Sequence, residues 1–249
     1  MTRALILGGT TEANLLAASA ADAGLDAIYS YAGRTQVPVN QPLPTRVGGF
    51  GGVDGLADAI RQERFTHVVD ATHPFATEIS RNAVAACAAT ATPLIALERP
   101  PWVKAPGDIW IEVADIPSAV AALPEHPVRA FLAIGRQHIA PFVARPQHAY
   151  TLRFIDAAAG PLPLPDADLI VSRGPFTLAG ELDMMRAWRI EWIVARNSGG
   201  AGARAKIDAA RELGLPVVMI RRPELPVGLR VESVAEVMHW LGHRSCLGA

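Results

Sequence analysis

The chain has 249 residues, half of them apolar and 19% charged, with a formal net charge of −1 at pH 7. That length admits two small domains or one large one, and the apolar content supports a sizeable core and argues against wholesale disorder. The near-neutral charge argues against a protein held to nucleic acid or a membrane surface by bulk electrostatics. The longest weakly polar run, Ala83 to Leu97, is broken by Pro93 and does not read as a membrane span.

Arg3 to Leu7 reads as a first strand that ends on Gly8-Gly9-Thr10-Thr11-Glu12, and an alanine-rich helical pattern follows from Ala13 to Ala23. A nucleotide-binding α/β domain opens in this way. Amides at the helix N-terminus are free to receive phosphate oxygens, and glycine lets the main chain turn sharply beside the ligand. The third glycine of G-x-G-x-x-G is missing, so the turn alone leaves a dinucleotide site and a plain strand-to-helix turn equally open.

Gly24 closes the helix, Ala27 to Tyr31 reads as a second strand, and a proline-rich loop runs from Arg34 through Pro44. Arg46 to Gly52 sets four glycines around Phe50. Val53 to Arg64 is a predicted helix, His67 to Asp70 a strand, Phe75 to Ala89 a helix, and Pro93 to Leu97 a strand. The proline-rich stretch 99–127 reads as a linker or crossover with one short helix, Ser118 to Leu123. It separates a first domain, 1–98, from a second, 128–249. In the second, strands are predicted at Arg129–Ile134, Ala149–Ile155, Asp168–Val171, Glu191–Ala195 and Pro216–Ile220. Helices are predicted at Leu178–Trp188, Ala203–Leu213 and Ser233–Leu241. The alternation predicts two three-layer α/β units with mainly parallel sheets.

In such sheets ligands sit beyond the carboxyl ends of the strands. There the sequence places Gly8-Gly9-Thr10, Gly33-Arg34 and Ala71-Thr72-His73-Pro74, then Gly135-Arg136-Gln137, Ser172-Arg173-Gly174 and Asn197-Ser198-Gly199-Gly200. Each run carries glycine, a hydroxyl, an amide, a cation or an imidazole, which is chemistry suited to anions. An NAD-specific domain would carry a carboxylate after its second strand. Ser30, Tyr31 and Arg34 stand there instead, and arginine pairs a 2′-phosphate, so the expected cofactor is NADPH, or else Arg34 is an arginine exposed in a loop. The amides of Gly48, Gly49, Phe50 and Gly51 suit a pyrophosphate, or else the segment is a flexible connection. Glu12 reads as a helix cap or a cofactor contact. His73 reads as a proton donor, a carboxylate ligand or a residue that orders its loop.

No hydrolytic triad, H-E-x-x-H or P-loop is present. His239 and His243 are spaced i, i+4 but lack a third ligand, so no metal is expected. His138 and His148 read as surface or cap residues. Cys87 and Cys246 are isolated thiols without metal-ligand spacing, and the N-terminus has no long apolar segment, which together predict a reducing cytoplasm.

With these strand ends laid out, the sequence resembles the precorrin-6A reductase family of cobalamin biosynthesis, which includes cobalt-precorrin-6A reductases. The resemblance rests on Leu7-Gly8-Gly9-Thr10-Thr11-Glu12, Arg46-Val47-Gly48-Gly49-Phe50-Gly51 and Asp70-Ala71-Thr72-His73-Pro74-Phe75-Ala76. Ser172-Arg173-Gly174-Pro175-Phe176 and Arg196-Asn197-Ser198-Gly199-Gly200, followed by Lys206, complete it. It implies two Rossmann-like domains with an inter-domain cleft, and NADPH-dependent reduction of one double bond in a ring-contracted tetrapyrrole to give precorrin-6B, without flavin or metal. Such a substrate carries many carboxylates. Arg136, Ser172, Arg173, Asn197, Ser198, Gly199 and Lys206 are the expected acceptors in the second half, with Thr72 and His73 from the first. The resemblance also leaves room for transient contact with neighbouring pathway enzymes. It does not separate the metal-free substrate from its cobalt analogue, and no catalytic residue is singled out.

Three other readings are weaker. A short-chain-type reductase needs Tyr-x-x-x-Lys, and no tyrosine here has a lysine four residues later. A methyltransferase dependent on S-adenosylmethionine expects an acid where Arg34 stands. A non-catalytic NADP-sensing protein would bind the cofactor and reduce nothing.

Overall fold

The structure, a computed structural model, describes residues 2–31, 40–154, 162–164, 167–172, 174–225 and 228–242. The chain divides into two compact units, one of Met1–Pro100 with Pro223–Ala249 and one of Pro101–Arg222. Each is built on its own six-stranded sheet, and every strand pair is parallel.

The first unit opens with β1 (Arg3–Leu7), α1 (Thr11–Asp22), β2 (Asp26–Tyr31) and β3 (Thr45–Val47). It continues with α2 (Gly52–Gln62), β4 (His67–Asp70), α3 (Thr77–Thr90) and β5 (Leu94–Leu97). β1 is a continuous apolar run because both of its faces are covered. Ala4 and Ile6 pack with Ala13, Leu16, Ala17 and Ala20 of α1. Leu5 and Leu7 point to the opposite face and pack with Leu56, Ala57 and Ile60 of α2 and Ala83 and Ala86 of α3.

The second unit contains β6 (Ile109–Val113), α4 (Ile116–Ala121), β7 (Arg129–Ala133), β8 (Ala149–Phe154) and β9 (Ala167–Val171). α5 (Leu178–Ala187), β10 (Trp192–Arg196), α6 (Ala205–Leu213) and β11 (Pro216–Ile220) complete it. Its strand order is β6-β11-β10-β7-β8-β9. Phe131, Ile193, Ala195, Val217 and Met219 from the sheet meet Leu182 and Met185 of α5 and Ile207 and Ala210 of α6.

Two features correct the predicted domain limits. The stretch 99–127 is no linker, because Ile109–Val113 forms the edge strand β6 beside β11. Trp110 is buried while Ile109 and Ile111 are exposed, an alternation only a few residues long between Pro106 and Pro117. The C-terminal segment falls within the predicted limits of the second domain, although the sequence leaves its pairing with the first open, and it belongs to the first unit. There β12 (Arg230–Val231) pairs with β5, and α7 (Val234–Trp240) brings Val237 and Met238 into the cluster of Leu16 and Ala17. A two-residue strand has no readable period, and the apolar face of α7 does not say which sheet it will cover. The first sheet therefore has the order β12-β5-β4-β1-β2-β3. Thr45–Val47, read as part of a glycine loop, is a strand. Among the described residues no helix is long and apolar enough to cross a membrane.

Candidate functional site

Strand order in the first sheet reverses between β1 and β4, and in doubly wound sheets the ligand crevice lies at such a point. A cavity of about 550 Å³ occurs here, a size usual for small-molecule and cofactor sites. Leu7, Gly8 and Gly9 line it after β1, Ser30 and Tyr31 at the end of β2, and Gly48 to Gly52 after β3. Thr72 and His73 follow β4, and Ala76, Glu78, Ile79 and Asn82 form the α3 wall.

The glycine turn is shaped by a residue that the sequence reading overlooked. A Cβ on Gly8 would lie 2.1 Å from Tyr29 Cζ, so no side chain fits at position 8. The Gly9 amide donates to the Tyr29 hydroxyl at 2.8 Å, and that hydroxyl donates to Asn14 Oδ1 at 2.8 Å. Gln41 Nε2 reaches the same Asn14 oxygen at 3.0 Å. Burial raises the Tyr29 pKa, so the group stays a neutral hydroxyl. One amide expected to receive phosphate is thus satisfied from within the protein.

Thr10 is the N-cap of α1. Its hydroxyl accepts from Ala13 N at 3.1 Å and donates to Ala71 O at 2.8 Å, fastening the turn to the end of β4. Thr11 is exposed in the first helical turn. Glu12 is paired with Arg99 at 2.6 Å. Gly49 is informative in another way. Its φ is not left-handed and a Cβ there would meet nothing within 4 Å, so neither backbone nor neighbour demands glycine; what the missing side chain leaves is cavity space.

Arg34 lies outside the described residues. A different arginine stands against the cavity wall. The Arg46 guanidinium lies 3.8 Å from the Phe50 ring centroid and donates to Gly48 O at 2.9 Å, Gly49 O at 3.4 Å and Ser30 Oγ at 3.5 Å. Thr72 donates through its hydroxyl to Asp70 Oδ1 at 2.6 Å. His73 Nδ1 accepts from Phe75 N at 3.2 Å, which leaves the ring proton on Nε2 in this arrangement. Burial, reinforced by the Asp70 carboxylate, pushes the Cys87 thiol up to about 12, so it is protonated and inert.

In the second unit several expected anion acceptors are engaged within the fold. The Asn197 side chain accepts from Trp102 N at 2.8 Å and donates to Trp102 O at 2.9 Å, as a neighbouring strand would. Lys206 is buried, with Nζ donating to Ala203 O at 2.7 Å and lying 5.1 Å from the Trp102 ring centroid. Ser198 is buried, and Gly199 takes a φ of 66° in the turn that follows. Arg222 donates to Asn197 O at 2.9 Å and Ser198 O at 3.0 Å. Arg136 is exposed in a short 3-10 turn after β7, and Ser172 follows β9. Arg173 lies outside the described residues.

The structure therefore gathers Gly8, Gly9, Gly48, Gly49, Phe50, Gly51, Thr72 and His73 around one cavity. It engages Thr10, Glu12, Asn197 and Lys206 in contacts of the fold. Tyr29, Arg46, Asn14 and the α3 wall were not singled out beforehand. Only Arg46 carried a readable signal, as a cation that opens the glycine cluster. Among the described residues, no three His, Cys, Asp or Glu side chains are grouped as metal ligands.

Comparison with known proteins gives the family. A precorrin-6A reductase from Rhodobacter capsulatus is 56% identical over 241 residues, covering 97% of this chain and 96% of that protein. A cobalt-precorrin-6A reductase from Priestia megaterium is 28% identical, covering 95% and 97%. The solved structure of a CobK precorrin-6A reductase superposes with a TM-score of 0.94 at 55% identity, covering 99% of each chain. The model of the family described as precorrin-6x reductase CbiJ/CobK matches residues 3–242, and the chain belongs to that family.

Proposed function

We propose that this chain is a precorrin-6A reductase of cobalamin biosynthesis, which uses NADPH to reduce one double bond of the precorrin-6A macrocycle and gives precorrin-6B. The observation that carries the reading is the whole-length likeness to a precorrin-6A reductase. The much lower likeness to a cobalt-precorrin-6A reductase favours the metal-free macrocycle as substrate.

The residues around the cavity suit the cofactor. A switch-point crevice with a glycine turn on one side and a glycine loop on the other is the setting in which doubly wound sheets hold a dinucleotide, and Gly49 keeps space free of side chains. When bound, NADPH supplies the hydride for the reduction. The remaining amides of Thr10, Thr11 and Glu12, with those of Gly48, Gly49, Phe50 and Gly51, would hold its phosphates, and Arg34 its 2′-phosphate.

His73 Nδ1 accepts from Phe75 N, which fits the residue that orders its loop. The proton that completes the reduction is proposed to come from water. Arg136, Ser172, Arg173, Ser198 and Gly199 are proposed to take the substrate carboxylates, with Asn197 and Lys206 holding the turn that carries Ser198 and Gly199; Thr72, whose hydroxyl and amide both donate to Asp70, braces the end of β4 instead. Each charge-assisted bond, once desolvated, contributes on the order of 1.5–3 kcal/mol.

The test is loss of NADPH absorbance with precorrin-6A and with its cobalt form, and with NADH in place of NADPH. Turnover with precorrin-6A that exceeds turnover with the cobalt form supports the proposal. A protein that binds NADPH and consumes none with either tetrapyrrole is the non-catalytic sensor instead. NADH serving as well as NADPH would remove the role given to Arg34.

A further inference from the structure

Arg46 lies beside the cavity at the carboxyl end of the first sheet, and its guanidinium contacts Ser30, Gly48, Gly49 and Phe50, all of which line that cavity. It is the register partner of Ser30 across the β2–β3 pairing, and Ser30 is buried at the carboxyl end of β2, on the cavity wall. That strand end is where such folds read the 2′ substituent, with a carboxylate for a hydroxyl and arginine for a phosphate. We infer that Arg46 is a specificity-determining residue that binds the 2′-phosphate of the nucleotide, an inference that rests on the dinucleotide reading of the cavity.

Three observations carry it. The guanidinium is held in place before any ligand arrives, by the Phe50 ring at 3.8 Å and by the carbonyls of Gly48 and Gly49. Its orientation therefore costs little on binding, which is the advantage of a planar fork over a flexible ammonium. A guanidinium has five N–H groups. Gly48 O, Gly49 O and Ser30 Oγ take three of them, so Nε–H and one Nη2–H are not used in these contacts.

The third observation is charge. Among the described residues no carboxylate is ion-paired with Arg46, and what surrounds the cation is carbonyl dipoles and an aromatic face. The acid on the cavity wall, Glu78, belongs to α3. A cation kept beside a ligand cavity without a counter-ion is complemented by a dianionic phosphomonoester, and a ribose hydroxyl gains little from it.

The experiment is calorimetric binding of adenosine 2′,5′-bisphosphate and of 5′-AMP to the full chain, without substrate. The wild type is expected to prefer the bisphosphate. Arg46→Met is expected to lose about tenfold to a hundredfold in bisphosphate affinity, while 5′-AMP affinity stays within about twofold. Arg46→Lys keeps charge without the fork and should fall between the two. It also serves if the methionine variant does not fold.

Equal loss for both nucleotides would mean that Arg46 only braces the glycine loop, and would overturn the inference. So would an unchanged preference in both Arg46 variants when Arg34→Gln abolishes it. If the wild type shows no preference for the bisphosphate, the NADPH reading itself fails, a result distinct from either of these.

Discussion

The Tyr29 hydroxyl accepts the Gly9 amide at 2.8 Å, and so fills a position that a nucleotide-binding turn usually offers to its ligand. The same ring occupies the space that a side chain at Gly8 would need. Strand β2 thus shapes the turn after β1, and the turn arrives formed. Tyr29→Phe removes the acceptor of the Gly9 N–H and one of the two donors to Asn14 Oδ1, and is expected to cost about 1–3 kcal/mol in urea denaturation. Gly8→Ala should cost more, since its Cβ would sit inside the ring. Adding Tyr29→Val to Gly8→Ala should recover part of the loss. A Gly8→Ala protein as stable as the parent would refute this account of the turn.

Asn197 holds both main-chain groups of Trp102, near the start of the second unit. Asn197→Ala removes both bonds and is expected to lower stability by about 2–3 kcal/mol. Asn197→Asp should be no milder, because it sets a carboxylate oxygen against the Trp102 carbonyl. Tryptophan fluorescence during urea unfolding reads this directly. If Asn197 acted only as a substrate ligand, both variants would unfold like the parent and differ only in KM.

Much of this was legible in the residues, and the misses have physical causes. β1 and β11 are buried on both faces and read as apolar runs, Ala4 to Leu7 and Pro216 to Ile220, so their positions followed at once. The glycine clusters marked the cavity because they coincide with strand ends. β6 and β12 were missed because edge strands alternate over too few residues to show a period. Asn197 and Lys206 show a further limit: an amide or ammonium suited to an anion is equally suited to a backbone carbonyl, and only three dimensions show which it meets. Tyr29 was invisible for the same reason, because its partners Gly9 and Asn14 lie past the end of the neighbouring strand β1 and on the preceding helix α1.

His148 supplies a pH dependence. Read from sequence as a surface or cap residue, it is 1% exposed, with Nδ1 accepting from Val128 N at 3.3 Å. Burial, then the nearby Arg145 and His126 charges, lowers its pKa below the ordinary 6.5. The unfolded chain therefore binds the proton more readily than the folded one. Its contribution is fully present above pH 6.5 and is lost as pH falls through the depressed folded-state value. The urea midpoint of the wild type should drop between pH 7.5 and 5.5, and His148→Gln, although less stable at pH 7.5, should drop less. Parallel pH profiles for the two proteins would exclude His148 as the cause.

Arg153 and Glu181 form the most buried ion pair of the second unit. Nη1 and Oε1 are 2.8 Å apart, and the glutamate side chain is 1% exposed. The guanidinium also lies 3.8 Å from the Phe176 ring centroid and 5.0 Å from that of Phe131, so it ties β8 to α5 and to the segment after Ser172. Glu181 Oε2 is buried without a donor, so the pair bears a desolvation cost that one contact offsets only in part. Removing either partner strands the other charge. Glu181→Ala and Arg153→Met are each expected to cost about 3–5 kcal/mol in chemical denaturation. The double variant Arg153→Met/Glu181→Leu should cost much less than the sum, because no charge is left buried, and a double-mutant cycle measures that coupling. Strictly additive losses would mean that the two side chains stabilise the unit through separate packing contacts, with the ion pair contributing nothing.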